Sequence, residues 1–178
     1  MIQLRDKWAG PRELLPQARQ MAQLCRDRGV HFIMNDRLDL AQAVDALGVH
    51  LGQDDLPARA ARALLGLGKL LGVSTHTLEQ AIRAAKDGAD YLGIGPIFAT
   101  VSKSTGYAPV GVDTIRHLRS RIDLPLLAIG GVTLSNVKEV IRAGAAGAAV
   151  ISAIIGSDDI ARATQAFLAA IEEAEQGR

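Results

Sequence analysis

The 178 residues contain one cysteine, Cys25. Neither an intrachain disulfide nor a cysteine-built zinc cluster can form from it, and a reducing cytoplasm is the natural setting. Aromatic residues are only 3%, which argues against a base-stacking sheet of the RNA-binding kind. Neither sign of charge dominates. Twenty Lys+Arg against 19 Asp+Glu leave a net charge of +1, so no nucleic acid and no membrane surface is expected as a partner. No apolar run approaches the ~20 residues of a membrane span. Arg5, Asp6 and Lys7 stand where a signal peptide would be apolar. There is no Gly-x-x-x-x-Gly-Lys phosphate loop, and no Gly-x-Gly-x-x-Gly follows the first apolar run.

What is present is aliphatic. Hydrophobic residues make up 48%, enough for one well-filled core. A single domain over residues 1–178 is expected, with a polar tail at 172–178. Short runs of Val, Ile and Leu predict buried parallel strands at Ile2–Leu4, His31–Met34, Gly48–Leu51, Leu70–Ser74, Tyr91–Ile94, Leu124–Ile129 and Ala148–Ser152. Helical spacing lies between them. Leu14, Ala18, Met21 and Cys25 share one face, Leu78, Ile82 and Ala85 another. Ile115 with Leu118, then Val137, Val140 and Ile141, then Phe167, Ala170 and Ile171 mark three more. Thr77 with Gln80 has the form of a capping box, Ser135 precedes a helical pattern, and Gly88 and Gly144 suit helix ends.

Strict alternation of strand and helix means parallel α/β. Polar and glycine residues gather after nearly every strand, which favours a (β/α)₈ TIM-type barrel over an open sheet with one crevice. Seven strand–helix units can be counted, where a closed barrel has eight. The expectation is a barrel lacking its first βα unit, with two exposed strand edges and a tendency to self-associate. A homo-oligomer stays open.

The residues after the strands carry the chemistry. Gln3, Arg5 and Lys7 would point to one side of an extended strand and suit a polyphosphate, although, taken alone, a solvated strand end with ordinary ion pairs is the favoured reading. Asn35 and Asp36 follow the second strand, and Asp54 and Asp55 follow the third. Asp36 and Asp55, beside a cationic strand, fit Mg²⁺ held by few protein ligands and by phosphate oxygens. The competing reading for the second pair is a helix cap ahead of Pro57, stronger for Asp54 than for Asp55. His50 reads as packing at a strand end rather than as a metal ligand. A polar loop from Gly95 to Lys103, continuing to Tyr107, could serve as a lid or be ordinary solvent loop. Gly130–Gly131 and Ser152 end the last two strands. Such a glycine pair, with a helix N-terminus after Ser152, suits a phosphate.

Six segments in this order resemble the thiamine-phosphate synthase family: Gln-Leu-Arg-Asp-Lys at 3–7, Asn-Asp-Arg at 35–37, Val-His-Leu-Gly-Gln-Asp-Asp at 49–55, Gly-Val-Ser-Thr-His at 72–76, Gly-Pro-Ile-Phe-Ala-Thr at 95–100 and Ala-Ile-Gly-Gly at 128–131. The resemblance implies a transferase that joins hydroxymethylpyrimidine diphosphate to hydroxyethylthiazole phosphate and releases pyrophosphate. It implies that Gln3, Arg5, Lys7 and Asn35 hold the pyrimidine diphosphate and that Asp36 and Asp55 bind Mg²⁺. Ser74 and Lys103 would touch the pyrimidine or the leaving pyrophosphate. Thr100, Ser102, Gly131, Ile151 and Ser152 would receive the thiazole phosphate. Arg5, Lys7, Ser74 and Lys103 are the residues implied in catalysis. The family's Thr-x-Thr-Lys loop is Thr-Val-Ser-Lys at 100–103 here, which keeps a hydroxyl. Two rivals are a thiazole tautomerase and a non-catalytic phosphate-binding barrel. The tautomerases place a histidine where Pro96 stands, and Asp36 is a residue their pattern often loses. The intact Asp36, Asp55, Arg5 and Lys103 argue against the non-catalytic barrel, and the missing first unit argues for it; a generic phosphate-binding barrel such as an isomerase leaves the paired aspartates unexplained.

Overall fold

The computed structural model describes residues 1–100 and 106–177. Among these, seven strands form a sheet whose strand order is the chain order. The strands are β1 (Ile2–Leu4), β2 (Phe32–Asn35), β3 (Gly48–Leu51), β4 (Leu70–Thr75), β5 (Tyr91–Ile94), β6 (Leu126–Ile129) and β7 (Gly147–Ala149). Parallel pairing joins β1 to β2, β2 to β3, β3 to β4, β5 to β6 and β6 to β7. A helix follows each strand, which is the progression of a TIM-type barrel with seven βα units.

Contacts divide the chain into two compact units. The first comprises Met1–Ser74 and Ala84–Tyr91. It holds β1 to β3, most of β4, and helices α1 (Pro11–Asp27), α2 (Leu38–Ala43) and α3 (Ala58–Leu65). Its core is aliphatic: Ile33, Met34, Val49, Leu51 and Leu71 are almost fully buried, as are Leu14 and Ala18 of α1. Arg62 of α3 fastens this unit. Its guanidinium donates to the carbonyls of Gly66 (2.7 Å), Lys69 (2.8 Å) and Gly88 (3.0 Å) and pairs with Asp90. Asp90 in turn accepts the N–H of Leu71 at 2.7 Å.

The second unit comprises Thr75–Arg83 and Leu92–Arg178. It takes the larger part of α4 (Leu78–Lys86) and carries α5 (Asp113–Arg119), α6 (Val137–Arg142), α7 (Ser152–Ile155) and α8 (Ile160–Gln176). Leu92, Ile94, Ile115, Leu126, Val137 and Ile141 fill its core. Thr77 caps α4 as expected, its Oγ1 accepting the Gln80 N–H at 3.2 Å. The return bond from Gln80 reaches the N–H of His76, one residue earlier than the usual box.

Several expectations shift. The predicted first strand ends at Leu4, so Arg5 and Lys7 lie in the loop beyond it and strand alternation does not orient them. Asp6 bends that loop by accepting the N–H groups of Trp8 and Ala9. β6 starts at Leu126 rather than Leu124, because Pro125 has no N–H for a ladder. β7 covers Gly147–Ala149, and Ser152 opens a helix instead of closing a strand. A short apolar run does not distinguish those states by periodicity. On α4 the deeply buried residues are Ala81 and Ala84, while Leu78, Ile82 and Ala85 flank them half-buried.

Candidate active site

The end of β2 makes the first feature. Asp36 has φ 61°, in the left-handed region, where aspartate is tolerated better than most residues. Its N–H donates to the His50 carbonyl at 2.8 Å, and its carboxylate, 16% exposed, pairs with Lys7. Asp55 faces the same place from the loop after β3 and accepts the Gly52 N–H at 2.6 Å. Burial, and then the hydrogen bond shared with the Asp36 carboxyl, push the Asp55 carboxyl above the usual aspartate range. Two carboxylates are thus held together, with Lys7 easing the repulsion between them.

That arrangement can hold a hard divalent cation. Among the described residues no group of three or more His, Cys, Asp or Glu side chains could do so. A pair of carboxylates leaves most of a coordination shell to water and phosphate oxygens, which suits Mg²⁺ better than an all-protein cage would. The raised Asp55 carboxyl also marks a place where a positive charge is wanted. Neither Asp54 nor Asp55 caps α3: its N-cap is Pro57, with no side-chain bond.

Behind this pair lies a buried polar chain. His50 accepts or donates to the Tyr91 hydroxyl at 3.1 Å through Nδ1 and to the Ser74 hydroxyl at 2.8 Å through Nε2. Gln53 Nε2 donates to the Ser74 carbonyl at 2.7 Å. Burial raises the Tyr91 phenol pKa, so it stays protonated. The two His50 tautomers give Ser74 opposite polarity. One makes its oxygen the acceptor and frees its O–H to donate outward; the other takes the serine proton and leaves a lone pair. His50 packs at its strand end as expected. Its partnership with Tyr91 depends on Gly72, where a Cβ would collide with both rings. Asn35 is 8% exposed at the end of β2, while Gln3 and Arg5 stand exposed.

In the second unit the loop after β5 lies on the turn after β6. Ile97 and Phe98 donate to the carbonyls of Ile129 (2.9 Å) and Gly130 (3.0 Å). Gly130 and Gly131 have φ 89° and 66°. A Cβ on Gly130 would meet Pro96, and one on Gly131 would meet Ala99 and Phe98. Glycine is required here both by conformation and by close approach. Asn136, not singled out in the sequence, braces the turn: it accepts the Thr133 N–H at 2.8 Å and donates to the Gly131 carbonyl at 3.0 Å. Thr100 follows Ala99, half-buried. Ile151 caps the one-turn helix α7, which starts at Ser152 itself; both residues are exposed. Ser102 and Lys103 lie outside the described residues.

The sequence and the fold both have counterparts among known proteins. Residues 1–154 match the family described as thiamine monophosphate synthase. The chain belongs to that family. A thiamine-phosphate synthase of Shouchella clausii is 51% identical over 176 residues, covering 99% of this chain and 84% of the relative. One of Chloroflexus aurantiacus is 47% identical, with 99% and 81% covered. Among solved structures, thiamine phosphate pyrophosphorylase from Pyrococcus furiosus superposes with a TM-score of 0.90 at 38% identity, covering 97% of this chain and 83% of that one. The activity is that of a thiamine-phosphate synthase, a transferase acting on small phosphorylated substrates. No helix among the described residues is long and apolar enough to cross a membrane.

Proposed function

We propose that the first unit holds hydroxymethylpyrimidine diphosphate and that the second receives hydroxyethylthiazole phosphate. The observation carrying this reading is the Lys7–Asp36–Asp55 cluster, two carboxylates and an ammonium at the ends of β1, β2 and β3. Asp36 and Asp55 would hold Mg²⁺. Bound there, the ion supplies positive charge to the diphosphate and to the pyrophosphate that leaves.

Gln3, Arg5, Lys7 and Asn35 would bind the diphosphate end, and Arg5, Lys7 and Lys103 would offset the charge that grows on the leaving pyrophosphate. Ser74, polarised by His50, orients the pyrimidine. Thr100, Ser102, Gly131, Ile151 and Ser152 receive the thiazole phosphate. The carbon–oxygen bond of the pyrimidine's methylene breaks first, and its electron pair leaves on pyrophosphate. The ring stabilises the resulting benzylic-type cation. The thiazole nitrogen then gives its lone pair to that carbon, forming the new bond. No side chain need act as nucleophile or general base; the protein supplies orientation and preset charge. The proposed setting is cytoplasmic, in keeping with the buried free thiol of Cys25.

The deciding experiment incubates the purified chain with both substrates and Mg²⁺ and measures thiamine phosphate and pyrophosphate in equal amounts. Asp36→Asn keeps the shape and tolerates the left-handed backbone. It is expected to lower turnover by about a hundredfold or more, a single strong charge interaction being worth that much. Full turnover in the variant would remove Asp36 from the metal site.

A further inference from the structure

One histidine of the second unit is held from three sides although it is none of the residues assigned above. The backbone N–H of His76 donates to Gln80 Oε1 at 2.7 Å, which ties it to the first turn of α4. Its ring Nδ1 bonds the Gly95 carbonyl oxygen. A carbonyl only accepts, so the proton of the neutral ring sits on Nδ1. Its ring face stacks on Tyr107, with centroids 3.7 Å apart and planes within 13°.

These restraints converge on the peptide that starts the loop after β5. The Gly95 N–H bonds the Thr75 carbonyl at 3.3 Å, while the Gly95 oxygen is taken by His76. From Gly95 the chain runs through Pro96, whose carbonyl accepts the Val110 N–H at 2.8 Å, to Ile97 and Phe98 on the Gly130 turn. No added Cβ fits at Gly95, Gly130 or Gly131, so these backbones have little room to compensate for a shift. Tyr107 lies close before the Val110–Gly111 return, where Gly111 donates to the Ile97 carbonyl at 3.1 Å. His76 therefore clamps both the way into this loop and the way out of it.

We propose that His76 is a positioning residue for the thiazole-phosphate half of the site, acting through Gly95 and Tyr107 to place Thr100 against Gly131. This rests on the assignment of those two residues to the thiazole phosphate. A displacement of such a loop by a fraction of an ångström is read in KM as lost affinity for the ligand at Thr100 and Gly131, while any effect through Lys103 on the leaving pyrophosphate is read in kcat.

Two substitutions separate its two contacts. His76→Phe keeps a ring for Tyr107 and loses the Nδ1–H bond; His76→Asn keeps a donor near Nδ1 and loses the stack. Both are expected to raise KM for the thiazole phosphate about tenfold and leave KM for the pyrimidine diphosphate within about twofold. An unchanged thiazole-phosphate KM in both variants would overturn the proposal, as would an equal rise in both KM values. If the wild-type chain makes no thiamine phosphate, the synthase reading fails separately, and calorimetric titration with the thiazole phosphate alone then decides. A tenfold weaker Kd in either variant supports the positioning role. An equal Kd, or no binding by the wild type, overturns it.

Discussion

At the scale of single residues, the Asp36–Asp55 pair governs how pH and cation act together. Asp55 has a folded-state pKa above its unfolded one, because of burial and the neighbouring carboxyl. Such a group favours the folded state when protonated, so its contribution falls as pH rises from the ordinary aspartate range through the raised value. A divalent cation reverses that loss only where both carboxylates are ionised. The Mg²⁺-induced rise in Tm should therefore be larger at pH 7.5 than at pH 5, and thermal shifts at both pH values measure it. Equal rises would count against a shared cation site. Gly131→Ala tests the second unit: the new Cβ meets Ala99 and Phe98 at a left-handed φ. A loss of about 1–3 kcal/mol in denaturant unfolding is expected. Asp36 directly follows an apolar run and Asp55 lies four residues beyond Leu51, which is why the sequence makes both stand out as carboxylates after strands. The link between His50 and Tyr91 is not legible. It joins residues 41 positions apart and depends on a missing side chain at Gly72, which no local pattern announces.

At the scale of elements, the first unit depends on Arg62 as much as on its apolar core. Replacing Arg62 by Met keeps the aliphatic stem but strips donors from three carbonyls and leaves Asp90 without its guanidinium. That should cost about 2 kcal/mol, read as a shift in urea midpoint. Leu126→Ala, at a fully buried position of β6, should cost about 2–5 kcal/mol. Strands β3 and β5 lie where their apolar runs predict them, since flanking polar and turn residues bracket them sharply. β7 does not. Its run of small apolar residues suits a strand and a helix start alike, and the parallel pairing with β6, which takes only Gly147–Ala149, makes the choice.

For the whole molecule, we propose that residues 1–178 unfold as one domain despite having two contact-dense units. Calorimetry should show a single transition with equal calorimetric and van't Hoff enthalpies; two resolved transitions would refute this. Among the described residues β1 ends the strand order and pairs with β2 alone, and Met1 and Ile2 are 56% and 44% exposed. An open apolar edge of that kind promotes pairing between chains. Light scattering is expected to show association that grows with concentration, and a monodisperse monomer throughout would argue otherwise. The barrel class is legible because the alternation of strand and helix spans the chain.

The left-handed backbone at Asp36 has one more effect. Asparagine or glycine sits at φ 61° with little penalty, and either would remove the repulsion against Asp55. An inactivating change here need not weaken the fold. Inside a cell such a variant would escape proteolysis and accumulate at normal abundance. Protein level at this position would then say nothing about flux, and only the reaction product would report the loss.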